Sequence, residues 1–304
     1  MLKAGLVTPI LSIAALLLLI ATEPFYRAPL FNASIPIIIS FQSTATPESI
    51  QFFKTVSDIG ALGLIIGVLV ISYLFGARNK AFYFMSYYGE IMLVMCIGKM
   101  AYHSPRPYMV SDEVQVFGCS TEFGHPSGHS INSMTFCIGL LLDYMVSNPD
   151  DSLIKKAIIF VLAIVTPLLV GFSRLYNGDH SMDQILYGWL LGLWIAFSNH
   201  YVLRDGILEH IDNLLYKKIP YTQLNFQEFF WFASLLTAAA IGSMILTFYV
   251  VDNSFEIPLD WQQRLEQKCA TESIAFMSFT NASLIEGGAL GLLIGAYYGI
   301  LNFA

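Results

Sequence analysis

Eight stretches of this chain are long and apolar enough to approach a full bilayer crossing: Gly5–Ala21, Val56–Gly76, Ala81–Tyr102, Gly128–Val146, Lys156–Tyr176, Ser181–Val202, Phe229–Val251 and Ser283–Phe303. About 20 helical residues cover the ~30 Å of hydrocarbon in a membrane. Lipid offers no water to satisfy a backbone N–H or C=O, so a crossing segment is either a helix or a strand of a closed barrel. Barrel strands need only about 9–11 residues of alternating polarity, and these windows are longer and apolar on every face. The sequence therefore predicts an all-α fold, a polytopic membrane helix bundle of about eight transmembrane helices. Composition agrees, with 56% hydrophobic and 12% charged residues, where soluble domains hold about 45–50% and about 25%. The net charge of −7 is scattered, without a basic stripe, and excludes a nucleic-acid-binding class.

The first window follows Lys3 and reads as a retained anchor or a cleaved signal peptide, although Leu19-Ile20-Ala21 is a poor cleavage site. Between Glu23 and Ile50 the chain is mixed, and Ile35-Pro36-Ile37-Ile38-Ile39 is too short to cross, which predicts an interfacial or re-entrant segment. Loops alternate between two sides. Lys3, Arg78, Lys80, Lys155, Lys156, Arg204, Lys217 and Lys218 share one side, which the positive-inside rule makes cytoplasmic. The Asn-x-Ser acceptors at Asn32 and Asn281 fall on the other side, and Asn32 is the candidate for glycosylation. Cys96 and Cys137 lie within crossings, whereas Cys119 and Cys269 lie in two non-cytoplasmic loops and form either a disulfide or two free thiols.

Three polar clusters fall on that non-cytoplasmic side. Lys99 and Arg106 stand at the end of the third window, where Pro105 and Pro107 break the helix. Glu122-Phe-Gly-His125-Pro126-Ser127-Gly128-His129 precedes the fourth: Ser127 is a suitable N-cap, Gly128 permits close backbone approach, and the helix N-terminus favours an anion. Ser173 and Arg174 end the fifth, and His180 and Asp183 open the sixth, where helical spacing would let Asp183 orient the imidazole. A single Lys or Arg near a helix end more often snorkels to the interface, and a lone His is more often structural. Three cations, two histidines and a carboxylate at adjacent helix ends make a phosphate site the better reading.

In order, these clusters resemble the signatures Lys-x6-Arg-Pro, Pro-Ser-Gly-His and Ser-Arg-x5-His-x3-Asp of the type 2 phosphatidic acid phosphatase superfamily, which includes lipid phosphate phosphatases, glucose-6-phosphatase and vanadium haloperoxidases. Lys99, Arg106, Pro107, Pro126, Ser127, Gly128, His129, Ser173, Arg174 and His180 take the matching positions, and Asp183 is taken as the acid of the third. The resemblance implies a phosphomonoesterase acting through a phosphohistidine. His180 would attack phosphorus with Asp183 orienting it, and His129 would protonate the leaving oxygen and then activate water. Lys99, Arg106, Ser127, Gly128 and Arg174 would hold the phosphoryl oxygens, with no metal and no cofactor. Asp179, His103 and His125 have no place in the pattern. Glu90, within the third window, is a functional candidate because ionisable groups at membrane depth are costly.

Six-helix cores are usual in the membrane members, so residues 1–228 are read as a membrane-embedded phosphatase core with its motifs in 99–183. Residues 229–304 are read as two additional C-terminal transmembrane helices. Gly287, Gly291, Gly295 and Gly299 form a small-residue stripe in the last window, either packing within the chain or making a homodimer or complex contact; Gly188 and Gly192 do so more briefly in the sixth. The expected partners are membrane lipids and a phosphorylated lipid substrate: phosphatidate, lysophosphatidate or a sphingoid-base phosphate. A sugar phosphate, a prenyl diphosphate, or a non-catalytic role as subunit or scaffold of a membrane complex are the alternatives. The expected location is the endoplasmic reticulum, another secretory-pathway membrane or the plasma membrane, with the site lumenal or extracellular.

Overall fold

A computed structural model describes residues 7–76, 78–216, 226–269 and 283. The regular elements among these residues are all helices, with no strand among them: α1 Val7–Ser43, α2 Pro47–Asp58, α3 Leu64–Phe75, α4 Arg78–Tyr102, α5 Pro107–Val110, α6 Gly128–Ser147, α7 Leu153–Tyr176, α8 Met182–Ser198, α9 Arg204–Tyr216, α10 Phe226–Ser254 and α11 Leu259–Cys269. The all-α membrane bundle is therefore the fold. Four described helical stretches, in α1, α4–α5, α6 and α7, are each long and apolar enough to cross a membrane, and the bent pair α10–α11 makes a fifth. Two more windows are interrupted by π-helical turns: Ile59–Gly63 joins α2 to α3, and Asn199–Leu203 joins α8 to α9. The window at 283–303, with Gly287, Gly291, Gly295 and Gly299, lies outside the described residues except for Ser283, as does Asn281.

Helix α1 corrects the expectation of an interfacial or re-entrant break. Its 37 residues form one helix despite Pro24, Pro29 and Pro36, a rod of about 55 Å at 1.5 Å per residue. The second half docks on the bundle, burying Glu23, Ser34, Ile38 and Gln42. Ile38 joins a core with Tyr108, Met109 and Phe123, so tertiary packing overrides the proline penalty. Asn32 is exposed, but its acceptor triplet is helical, and the Ser34 hydroxyl accepts from the Met182 amide at 2.8 Å.

Helix α6 is the hub, packed on α4, α7 and α8. Gly188 and Gly192 let α8 lie against it. A Cβ at Gly188 would stand 2.8 Å from the Ser127 carbonyl oxygen, and one at Gly192 would stand 2.9 Å from that of Ile131. The brief glycine stripe of the sixth window thus packs within the chain. Because α4, α6, α7 and α8 alternate in direction along the chain, the ends at Tyr102, Ser127, Tyr176 and Ser181 gather at one end of the bundle. Arg78, Lys80, Lys155, Lys156 and Arg204 belong to the other.

A 107° bend between α10 and α11 folds α11 over the polar end. Cys119 and Cys269 form a disulfide. Beside it the Lys268 ammonium donates to the carbonyls of Tyr108, Ser111 and Val114 at 3.2, 2.5 and 2.9 Å. The stretch from α5 towards α6 is thereby tied down by one cation and one covalent link.

Candidate active site

The exit of α4 delivers two cations. His103 turns the chain in a positive-φ conformation (35°), and Arg106 is extended at the N-cap of α5, with Pro107 in the first turn. Lys99 and Arg106 are each only 1% exposed. Buried cations demand partners, and Glu122 supplies a shared one. Its Oε1 is 2.8 Å from Lys99 Nζ and 2.5 Å from an Arg106 terminal nitrogen. Arg106 also donates from Nε to the Glu122 carbonyl at 3.1 Å, and from Nη1 to the Asp179 carbonyl at 3.2 Å.

Arg106 Nη1 is also 3.2 Å from His180 Nε2. Guanidinium can only donate, so Nε2 accepts and presents its lone pair toward the cations. Nδ1 then carries the proton and donates to Gln184 Oε1 at 3.1 Å. The Gln184 amide is oriented by two backbone groups: Oε1 accepts from the Ser181 N–H at 3.3 Å, and Nε2 donates to the Pro105 carbonyl at 2.8 Å.

Asp183 does not hold His180, which corrects the sequence expectation. His180 precedes α8, so the i,i+3 geometry of a helix does not apply to the pair. Asp183 is also three residues on, and the register of His-x3-Asp falls on Gln184. Gln184 is the third residue of a capping box opened by Ser181, and folding back to cap the helix carries its amide to the imidazole. Asp183 is fully buried on the other side, with Oδ2 3.7 Å from His125 Nδ1. His125 Nε2 faces Glu23 Oε1 at 3.2 Å, and its ring stacks on Tyr187 with centroids 5.0 Å apart. His125 therefore ties α1 to α8 and lies away from the phosphate site.

Ser127 is the N-cap residue of α6, but its hydroxyl makes no capping bond and instead accepts from Ser130 Oγ at 3.0 Å. Its amide donates to the Gln184 carbonyl at 3.1 Å, fastening the second cluster to the third. At Gly128 a Cβ would come within 2.3 Å of Met95 Sδ, so a larger residue would have to displace that side chain on α4. Arg174, in the last turn of α7, pairs with Asp179 at 2.9 Å and donates to Ser57 Oγ at 2.5 Å. Asp179, absent from the signature, is thus the counter-charge of a signature arginine. Burial pushes its carboxyl up, against the pull of Arg174 and Arg106. Burial, reinforced by Arg106, Arg174 and Lys99, holds His180 well below the ordinary value of 6.5, so its ring is neutral at pH 7.

A cavity of about 240 Å³ opens on this cluster. Lys99, Glu122, Gly128, His129, Asn132 and His180 line its polar side, while Tyr88, Met92, Met95 and Ile65 line the rest. Tyr88, Met92, Met95 and Lys99 recur along one face of α4, so the lining descends about 16 Å at the helical rise. The structure thus brings together Lys99, Arg106, Gly128, His129 and His180, with Ser127 and Arg174 against the cluster. Sequence reasoning missed Glu122 and Gln184 as participants; the Ser181-x-x-Gln184 capping spacing was a readable signal for Gln184. Glu90 lies elsewhere, accepting from Asn199 Nδ2 at 2.6 Å.

Residues 80–206 match the family model of the PAP2 superfamily. The chain is 26% identical over 187 residues to an undecaprenyl-diphosphatase of Sulfolobus acidocaldarius, covering 61% of this chain and 84% of that relative. It is 36% identical over 78 residues to phosphatidylglycerophosphatase B of Bacillus subtilis, covering 25% of this chain and 37% of that one. Among solved structures it resembles a transmembrane PAP2-type phosphatidylglycerolphosphate phosphatase of Bacillus subtilis, with a TM-score of 0.52 and 20% identity over 69% of this chain and 98% of that one. At that identity the likeness is one of fold.

Proposed function

We propose, for a chain that belongs to the PAP2 superfamily through residues 80–206, a membrane phosphatase that hydrolyses the phosphate ester of a lipid such as phosphatidate, lysophosphatidate or a sphingoid-base phosphate. The observation that carries the substrate class is the cavity. It joins a polar end, with the Lys99 ammonium and the neutral His180 ring, to a largely apolar lining at Met95, Met92, Tyr88 and Ile65. A phosphate with an attached hydrocarbon matches that polarity gradient, and a sugar phosphate would leave its hydroxyls against methionines.

His180 Nε2 attacks phosphorus, forming an N–P bond as the bond to the lipid oxygen breaks; the Nδ1 proton stays on the bond to Gln184. His129 donates a proton to the departing oxygen. It then takes one from the water that attacks the phosphohistidine, releasing inorganic phosphate and restoring His180. Lys99, Arg106 and Arg174, with the Ser127 hydroxyl and the Gly128 amide, hold the phosphoryl oxygens and offset the charge that grows on them. No step requires a metal ion.

A prenyl diphosphate is the second reading, supported by the named activity of the Sulfolobus relative and served equally by the apolar lining. On either reading, we assign the polar end to the lumenal or extracellular side. The basic residues at the opposite end and the Cys119–Cys269 disulfide beside the site support this.

Phosphate release by the purified protein from lipid phosphates, a prenyl diphosphate and glucose 6-phosphate is the test, with His180→Ala as control. Lipid monophosphate turnover that His180→Ala abolishes and EDTA spares is expected. Equal inertness of wild type and variant on every substrate would leave a scaffold as the reading, and loss of activity in EDTA would end the metal-free mechanism.

A further inference from the structure

Glu122 places an anion where the reaction needs one to bind. Its carboxylate bridges Lys99 at 2.8 Å and Arg106 at 2.5 Å, and it lines the same cavity as His129 and His180. Two charge-assisted contacts from a Lys and an Arg to an oxygen anion are what a phosphoryl group would receive. We propose that Glu122 is an internal competitor for the phosphoryl site: its carboxylate occupies the Lys99–Arg106 cradle in the resting protein and is displaced when a phosphate ester binds. This rests on reading Lys99 and Arg106 as the phosphate cradle.

Three features make displacement practicable. The cations are anchored, with side chains 2% and 1% exposed, while the Glu122 side chain is 17% exposed and so stands on the open side. Glu122 belongs to the non-helical stretch between α5 and α6, where a change of rotamer disturbs no helix. Its backbone carbonyl is held separately by Arg106 Nε at 3.1 Å, so the carboxylate can swing out while the main chain stays tethered.

The arrangement also answers an energetic problem. A carboxylate between two buried cations offsets their mutual repulsion in the empty bundle. With Glu122 in place, an incoming anion must outbid a carboxylate already at hand. A phosphate dianion, with more charge and three oxygens, does so better than a monoanionic headgroup, and the returning carboxylate helps expel inorganic phosphate after turnover.

The test uses the full chain in detergent, with inorganic phosphate as probe, comparing wild type, Glu122→Gln and Glu122→Asp by calorimetry. Asp keeps the charge but is one methylene too short to bridge both cations. Displacement therefore predicts that both variants bind phosphate about tenfold tighter or better, an order-of-magnitude expectation for a lost competing ion pair. Tightening in Glu122→Gln alone would mean that Glu122 stays in place as a fixed negative charge, and no tightening in either would make it purely structural; each result overturns the inference. Wild type gives an independent readout should the variants fold poorly. Phosphate should increase carbodiimide labelling of Glu122, and unchanged or reduced labelling counts against displacement. If Lys99→Ala and Arg106→Ala bind phosphate as wild type does, the cradle itself is misassigned and the functional reading falls with it.

Discussion

At the scale of single residues, the His180–Gln184 pair decides how the nucleophile is held. Gln184→Ala removes the acceptor for Nδ1–H and frees the ring to rotate, so kcat should fall on the order of 100-fold. Asp183→Asn, on the far side of the chain, should cost far less; the reverse ranking would restore Asp183 as the orienting group. Gln184→Glu keeps the acceptor and adds a charge that favours imidazolium. In wild type, the pKa held below 6.5 puts the acid limb of kcat/KM below the ordinary histidine range, and Gln184→Glu should move that limb to higher pH. The same shift bears on stability. The unfolded chain protonates His180 at pH values where the folded chain does not, so this group weakens the fold as pH falls through 6.5. Asp179 offers a second test: Asp179→Asn strips Arg174 of its charged partner and should cost about 3–5 kcal/mol, read as a lower thermal midpoint. Sequence identified Lys99, Arg106, His129, Arg174 and His180 because each motif is local. It missed Glu122, whose partners Lys99 and Arg106 come from another cluster, and it assigned no role to Asp179, whose pairing with Arg174 depends on how the turn after α7 folds back.

At the scale of helices, the polar end depends on how closely α8 approaches α6. Gly188→Ala would set a methyl group 2.8 Å from the Ser127 carbonyl oxygen. The helices must then part, shifting Ser127 and His129 relative to His180. A stability loss of about 1–3 kcal/mol is expected, with a disproportionate fall in kcat that short-range displacement explains. Gly67→Ala on α3, where a Cβ meets nothing within 4 Å, is the control and should be neutral or slightly stabilising. Equal effects at the two positions would remove the close-approach argument. Most helix limits were readable from hydropathy, since the windows at 81–102, 128–146 and 156–176 nearly coincide with α4, α6 and α7. The second half of α1 was not. Its prolines and mixed polarity signal a break, and only the burial of Ser34, Ile38 and Gln42 against distant residues keeps it helical. The π turns that interrupt two windows left no mark in hydropathy, because they alter hydrogen-bond register and not composition.

At the scale of the whole molecule, the bundle stacks two environments along one axis, a cationic cradle at one end and an apolar cavity running down α4 beneath it. Chemistry and chain recognition are thereby separated by distance, and they should be separable by mutation. Met92 lines the cavity at 5% exposure and lies seven residues before Lys99, about two turns from the cradle. Met92→Phe narrows the apolar part without touching a charged group. For a long-chain lipid phosphate it should raise KM about tenfold, the range associated with small changes in a hydrophobic pocket. Turnover of a short soluble aryl phosphate, which needs only the cradle, should remain within about twofold, because its transition state gains nothing from the deeper lining. A shortened lipid chain should recover the lost affinity in the variant. If Met92→Phe depresses both substrates equally, the cavity is part of the catalytic fold and not a chain-binding groove. The hydrocarbon must then leave the site by another face of the bundle.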